Sequence, residues 1–353
     1  MKILIVVPSF KVLGGVSSHY VGLAPYWRNK VCYFHYGKRP HIPAIVTFIP
    51  DLIGFVFRMC FGRYDVLIVN PSLTRYQLFR DSLYLRIGLL FHKKVVTFIH
   101  GWEYPVAEEI VRRPSKFCNT YGKSRFIYVL YSGFKKTLES LPMQAPVLLA
   151  TTKVSDKLLD GFDMAVRNGK IERLLFLARL DRAKGLDVTI QAFEILKKQY
   201  PYLKLDVCGS GDFEDEMKQY VSQHKIEDVF FHGRAKGRDI VKAFTCSDLY
   251  ILPTTHGEGM ATSVLEAMAF GLPVVSRPVG GVCDFFEEGK MGYLLESLEA
   301  KDYADKVDYL IQHPETVRQM SITNHSYAKE HFLASEVTKK FEKDLAAYCS
   351  TQK

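Results

Sequence analysis

Short β-branched apolar runs alternate with longer amphipathic stretches along the chain. The runs at residues 3–7, 66–69, 95–99, 126–130, 174–177, 203–207, 229–231, 249–252 and 274–275 predict strands. Most are continuously apolar, as expected of parallel strands covered by helices on both faces. Helical spacing is clearest at 188–199, 213–224, 238–244 and 261–270. Strand and helix alternating through two successive halves predict two doubly wound α/β domains. Their seam is expected within residues 150–172, where periodicity lapses and polar residues collect. Beyond Leu295 only closing helices are predicted, at 302–312 and 334–348.

A length of 353 residues agrees with two domains. With 48% apolar and 24% charged residues, the chain is not a disordered, collagen-like or disulfide-scaffold protein. Its seven cysteines include no Cys-x-x-Cys pair, which points away from a zinc site or secreted disulfide framework and towards a reducing compartment. The run at 3–7 is too short for a signal peptide and reads as a buried first strand. No stretch reaches the roughly 20 apolar residues that span a bilayer. The nearest, 42–61, is interrupted by Pro43, Pro50, Asp51 and Arg58.

Charge changes the picture more than composition does. The net charge is +9, yet residues 1–150 hold 20 Lys/Arg against 7 Asp/Glu, while the remainder holds 27 against 31. A basic half beside a mildly acidic one fits contact with a polyanion or an anionic membrane surface, or simply a solvated basic face. No nucleic-acid partner is expected, because no binding motif accompanies the charge.

Ligands of open α/β sheets bind beyond the carboxyl ends of the strands, so candidate chemistry belongs in the loops there, with the cleft between domains as the default site. One such loop is His256-Gly257-Glu258-Gly259-Met260-Ala261-Thr262-Ser263, which runs from a strand into a helix ended by Gly271 and Pro273. The unpaired N–H groups and positive dipole end of such a helix suit a phosphate. Glu258 in the loop and Glu266, expected about two turns into the helix, can hold different parts of an elongated ligand. Equally, they can be a dipole partner and a surface residue. Arg179 and Lys184 follow the strand at 174–177 and can converge on a diphosphate; the alternative is a solvated turn broken by Gly185. Gly14-Gly15-Val16 after the first strand permits close backbone approach to a phosphate, although a lone Gly-Gly is weak. His100 ends the strand at 95–99, where a structural histidine is the commoner outcome. No histidine spacing suits a metal, and neither a Walker-type loop nor a Gly-x-Ser-x-Gly elbow is present.

Together these residues resemble the retaining nucleotide-sugar glycosyltransferases of family 4, which have the GT-B fold. Glu258 and Glu266 resemble that family's E-x7-E pair, followed by Glu-Ala-Met-Ala-x-Gly-x-Pro-Val-Val, and Arg179 and Lys184 resemble its R-x4-K clamp. Cys208-Gly209-Ser210-Gly211, Gly280-Gly281-Val282, Gly14-Gly15-Val16 and His100 resemble further motifs in the family's order. Departures are Thr151-Thr152-Lys153-Val154 in place of an interdomain Asn-Gly, Met260-Ala261 in place of Phe-Gly, and Arg277 where small polar residues are common.

The resemblance implies two Rossmann-like domains facing each other across a cleft. Residues 1–155 would bind the acceptor, with the helix at about 333–350 packing back onto them, and 156–332 would bind the donor. It implies that Glu266 binds the donor ribose and Glu258 the transferred sugar. Gly15, Arg179, Lys184 and the backbone of Gly259, Met260, Ala261, Thr262 and Ser263 would hold the diphosphate, and His100 would orient reacting groups. The implied activity is retaining, metal-independent, cofactor-free transfer from a nucleotide-diphosphate sugar to a saccharide, with a lipid-linked acceptor, in surface polysaccharide biosynthesis. An acceptor on a lipid diphosphate would reward the basic first half, through 42–61 with Arg58 and Arg63 or through 83–94, and would place a cytoplasmic enzyme at the inner face of the cell membrane. Two other readings stay open: a catalytically silent scaffold for a partner enzyme, and a transferase using a small soluble acceptor.

Overall fold

The computed structural model describes residues 1–11, 14–37, 44–257 and 259–350. Two parallel sheets of six strands organise them, each within its own compact unit. Unit 1 comprises Met1–Lys153, Gly257–Met260 and Ala334–Lys353, and unit 2 comprises Val154–His256 and Ala261–Leu333.

In unit 1 the chain runs β1 (Lys2–Pro8), α1 (Gly15–Leu23), β2 (Lys30–Tyr36), α2 (Ala44–Phe61), β3 (Val66–Val69), α3 (Arg75–Leu90), β4 (Lys94–Phe98), α4 (Tyr104–Arg112), α5 (Ser115–Cys118), β5 (Ile127–Val129), α6 (Ser132–Glu139) and β6 (Val147–Leu149). The strand order β2-β1-β3-β4-β5-β6 is a doubly wound order with its switch point between β1 and β3. Ile3, Leu4, Ile5, Val6 and Val7, like all four residues of β3, are fully buried, so helices cover both faces of these strands.

Unit 2 runs β7 (Arg173–Leu177), α7 (Leu186–Gln199), β8 (Lys204–Cys208), α8 (Glu214–Gln223), β9 (Val229–Phe231), α9 (Arg238–Cys246), β10 (Leu249–Leu252), α10 (Thr262–Ala269), β11 (Val274–Ser276), β12 (Gly292–Leu294), α11 (Ala300–Gln312) and α12 (Pro314–His331). Its order, β12-β11-β10-β7-β8-β9, is the Rossmann order 3-2-1-4-5-6 read from the far edge, with the switch point between β7 and β10.

The final helix, α13 (Ala334–Cys349), groups with unit 1. There Phe341 meets Trp27 and Tyr128, with ring centroids 5.4 and 5.0 Å apart, and Tyr128 donates to Asp344 at 2.5 Å.

Three strands and one long helix escape the sequence pattern. β2, β6 and β12 all lie at sheet edges and are only partly buried, so none needs an unbroken apolar run. α12 buries Val317, Met320, Ser321, Asn324 and Ala328 at helical spacing, but two of the five are polar and conceal the stripe. Their polarity has a use. Asn324 donates to the Leu272 and Met291 carbonyls at 2.8 Å, and His325 Nδ1 lies 2.6 Å from the Ala269 carbonyl, fixing the chain around the carboxyl end of α10.

The two candidate membrane segments differ. α2 buries Phe55 and Met59 but exposes Val46, Ile49, Ile53, Phe57 and Phe61 in a stripe at helical spacing. Residues 83–94 run from α3 through a turn into β4, burying Tyr84 and Leu85 and exposing Leu90. Among the described residues no helix is long and apolar enough to cross a membrane.

Candidate active site

In unit 2 the loops after β7 and β10 meet at the switch point. The Ala183 carbonyl accepts from the backbone N–H of Thr255 at 2.7 Å and of His256 at 3.2 Å. Gly185 makes that approach possible. Its φ is +76°, and a Cβ there would stand 2.3 Å from the Pro253 carbonyl oxygen. On the other side, a Cβ on Gly209, at φ +153°, would stand 1.9 Å from the Ala178 carbonyl oxygen, so the loop after β8 is held against the same strand end.

This arrangement collects charge. The Arg179 Nε–H donates to Asp181 at 2.9 Å, and the Arg179 side chain remains 67% exposed. Lys184 is buried. Desolvation pushes its ammonium down to about 8, with Asp181 opposing that shift and Arg179 adding to it. His256 is also held below its ordinary value, first by burial and then by the Lys184 charge. Arg179 lowers it too and Asp181 raises it, so the junction gathers two cations and one carboxylate beside the imidazole, an arrangement that can receive an anion.

α10 starts beside this pocket in sequence, with Ala261 as N-cap and no side-chain cap. Ala261 is buried, while Thr262, Ser263 and Glu266 are half-buried. The Tyr250 hydroxyl, on β10, bonds the Leu177 carbonyl at 2.9 Å and the Ser263 hydroxyl at 2.7 Å, pinning the helix start to the end of β7. Burial, with the Glu266 charge contributing, holds the Tyr250 phenol well above its ordinary value. Glu266 is the fifth residue of α10, so it sits little more than one turn inside rather than two. At the far end, buried Arg167 donates from Nε to the Phe270 carbonyl at 2.8 Å and from Nη2 to the Phe244 carbonyl at 2.7 Å, neutralising the carboxyl ends of α10 and α9. Glu258 lies outside the described residues. Gly259 and Met260 group with unit 1, not with the 156–332 segment.

In unit 1 a second cluster sits at the β1/β3 switch point. Asn70, directly after β3, donates from Nδ2 to the Val6 carbonyl at 3.0 Å, so its Oδ1 is an acceptor. That oxygen receives the Tyr20 hydroxyl at 2.7 Å and His100 Nε2 at 3.1 Å. His100 therefore carries its proton on Nε2 and presents a bare Nδ1. The ring stacks on Phe98 at 3.9 Å, and burial pushes its pKa down to about 3. His100 is a neutral hydrogen-bond acceptor rather than an acid. Behind it His19 is buried, with no hydrogen-bond partner on either ring nitrogen among the described residues. Gly14 is the extended N-cap of α1, which has no side-chain cap and no acid in its first turn. A Cβ on Gly14 or Gly15 would meet nothing within 4 Å, so packing of the described residues does not demand these glycines. Asn70 was open to sequence reasoning, since it stands at a strand's carboxyl end as His100 does. His19, Tyr20 and the Ala183 carbonyl carry no such signal.

The His100 environment predicts a pH dependence. Its folded-state pKa lies below the unfolded value of about 6.5, so the unfolded chain takes up the proton first. Its contribution is fully present above about pH 6.5 and is lost as the pH falls towards 3. Between pH 7 and 5 this one residue is expected to cost about 2 kcal/mol of stability. His100→Gln, whose amide can still donate to Asn70, should flatten the fall of the calorimetric Tm over that interval. An equal fall in the variant would mean that other groups cause it.

Residues 164–326 match the family described as Glycosyl transferases group 1. Arg179, Lys184 and the start of α10 lie inside the matched residues, and Gly15 and His100 lie outside them. Similar proteins include the putative colanic acid biosynthesis glycosyltransferase WcaL of Salmonella typhimurium, 33% identical over 221 residues that cover 61% of this chain and 54% of WcaL. An uncharacterized glycosyltransferase of Haemophilus influenzae is 35% identical over 150 residues, 42% of each chain. The chain spans about half the length of these curated relatives. Among solved structures, Anabaena HepE in complex with UDP has a TM-score of 0.77 at 17% identity, covering 98% of this chain and 100% of that one. The same protein in complex with UDP-glucose has a TM-score of 0.73. That likeness is one of fold: the two six-stranded α/β sheets are those of GT-B glycosyltransferases.

Proposed function

We propose that the protein is a retaining glycosyltransferase that moves a sugar from a nucleotide-diphosphate donor to a saccharide acceptor in polysaccharide biosynthesis. The observation that carries this reading is the junction at Ala183, which seats Arg179 and buried Lys184 beside the loop leading to α10. Cleaving the bond at the anomeric carbon leaves an oxocarbenium-like centre and a diphosphate that gains negative charge. Arg179, Lys184 and the N–H groups at the start of α10 oppose that charge as it grows. With the charge met by side chains and backbone, the reaction needs no metal. Glu266 takes the ribose hydroxyls and Glu258 those of the transferred sugar. His100 accepts a hydrogen bond on Nδ1 from a reacting hydroxyl and orients it. Attack comes from the face the diphosphate leaves, and the departing phosphate takes the acceptor's proton. The likeness to WcaL, a putative colanic acid biosynthesis glycosyltransferase, and the UDP and UDP-glucose bound to HepE support this class of reaction.

The acceptor is lipid-linked and the enzyme works at the cytoplasmic face of a membrane. Support for this comes from the exposed stripe of α2, with Arg58 in its last turn, and from the basic excess of residues 1–150.

A panel of nucleotide sugars incubated in EDTA without acceptor tests the chemistry. One donor should release its nucleoside diphosphate, and Glu266→Ala should abolish that release. Absence of both release and calorimetric donor binding across the panel would favour a scaffold. Sedimentation with anionic vesicles, lost in Phe57→Ser/Phe61→Ser, tests the membrane contact; equal sedimentation of that variant would remove α2 from it.

A further inference from the structure

α3 on one side and α4 with α5 on the other enclose a cavity of about 510 Å³ in unit 1, within the range of small-molecule sites. Its floor is apolar: Val106, Ile110, Phe117 and Tyr121 are all buried. The Tyr121 hydroxyl is already spent on the Leu78 carbonyl at 2.7 Å, so that residue offers the cavity its ring. Exposed Phe79 stands at the lip.

The rim has the opposite character. Arg75, Arg86, Arg113 and Lys116 line it, against the single carboxylate of Glu109. That carboxylate is engaged by Arg75 at 2.9 Å. Among the described residues Arg86, Arg113 and Lys116 have no carboxylate partner, and Arg86 is steadied by Thr120, to whose Oγ1 its Nη2 donates at 3.2 Å. An apolar trough under three uncompensated cations matches one chemistry, an apolar chain ending in a multiply charged anion. A free sugar would leave the floor unsatisfied, and free phosphate would leave it uncovered. α3 also packs against α2, the helix that bears the exposed apolar stripe.

We propose that this groove binds a single-chain lipid phosphate, with the chain along Val106, Ile110 and Phe117 and the phosphate under Arg86, Arg113 and Lys116. None of these residues belongs to the proposed transfer site, so the inference stands or falls separately from that activity.

Calorimetry on the full chain with farnesyl phosphate, farnesol and inorganic phosphate tests it. Farnesyl phosphate should bind at least about tenfold more tightly than either fragment. Arg86→Ala/Arg113→Ala/Lys116→Ala, three exposed positions, should weaken it roughly 100-fold. Phe79→Glu, which puts a like charge at the lip, should weaken it independently. Unchanged far-UV dichroism and Tm would show that the variants fold. No binding of farnesyl phosphate, equal binding of farnesol or of inorganic phosphate, or full affinity in the triple variant would each overturn the proposal.

Discussion

Lys184→Ala is expected to slow sugar transfer by about 10²–10³-fold, with a smaller effect on donor affinity. The ammonium is buried at the switch point and, without ligand, is held down to about 8 by desolvation. A diphosphate arriving there adds negative charge to that of Asp181, and leaving-group charge increases it further at the moment the bond breaks. The same reasoning fixes the sign of a pH effect. Below about pH 8 the free protein already carries the charge; above it, binding must first recover a proton, so donor affinity should fall as the pH rises. Lys184→Arg keeps a charge that does not titrate in this range and should remove that alkaline loss, even if its wider fork costs rate. The readouts are kcat and donor Kd between pH 7 and 10. A kcat for Lys184→Ala within about threefold of the parent would exclude the residue from transition-state stabilisation.

Gly185→Ala is expected to destabilise unit 2 by about 2–4 kcal/mol and to abolish donor binding. The left-handed backbone alone disfavours a side chain, and the added Cβ would collide with the Pro253 carbonyl, which is backbone and cannot swing aside. Relief requires the loops after β7 and β10 to separate, which breaks the bonds from Thr255 and His256 to the Ala183 carbonyl. The expected signature is a reduced Tm with retained helicity, together with donor binding lost beyond what the stability change explains. Retained binding at the parent's affinity would show that the junction is not what seats Arg179 and Lys184.

The legible parts of the fold were those whose physics forces a pattern. β1, β3, β4, β7 and β10 lie inside their sheets and spell themselves as apolar runs. β2 interleaves polar residues because one of its edges has no neighbour strand, and β6 and β12 are three residues long. α12 hid behind buried Ser321, which bonds back to the Val317 carbonyl one turn earlier, and buried Asn324, whose partners are carbonyls on segments far away in sequence. The same division holds at the site. Arg179, Lys184 and His100 follow apolar runs and stand out at once. The Ala183 carbonyl that draws two loops together is invisible, since every residue has a carbonyl. So is the neutrality of His100, which depends on Asn70 facing one way and on the depth of the pocket around the ring.

The placement of α13 also bears on the protein's birth. Unit 1 has all six of its strands by Leu149, yet the aromatic surface of Trp27, Phe98, Phe126 and Tyr128 is covered by Phe341 and Tyr348 of α13. About 200 residues separate the two, so at roughly 5–20 residues per second a ribosome needs about 10–40 s to deliver the cover. Throughout that interval the nascent chain carries a finished sheet with an open greasy flank. The intervening unit, to which α13 does not belong, is free to fold first. Of the two units, the one made first is thus the one completed last, and it is the one for which a waiting chaperone has most to hold.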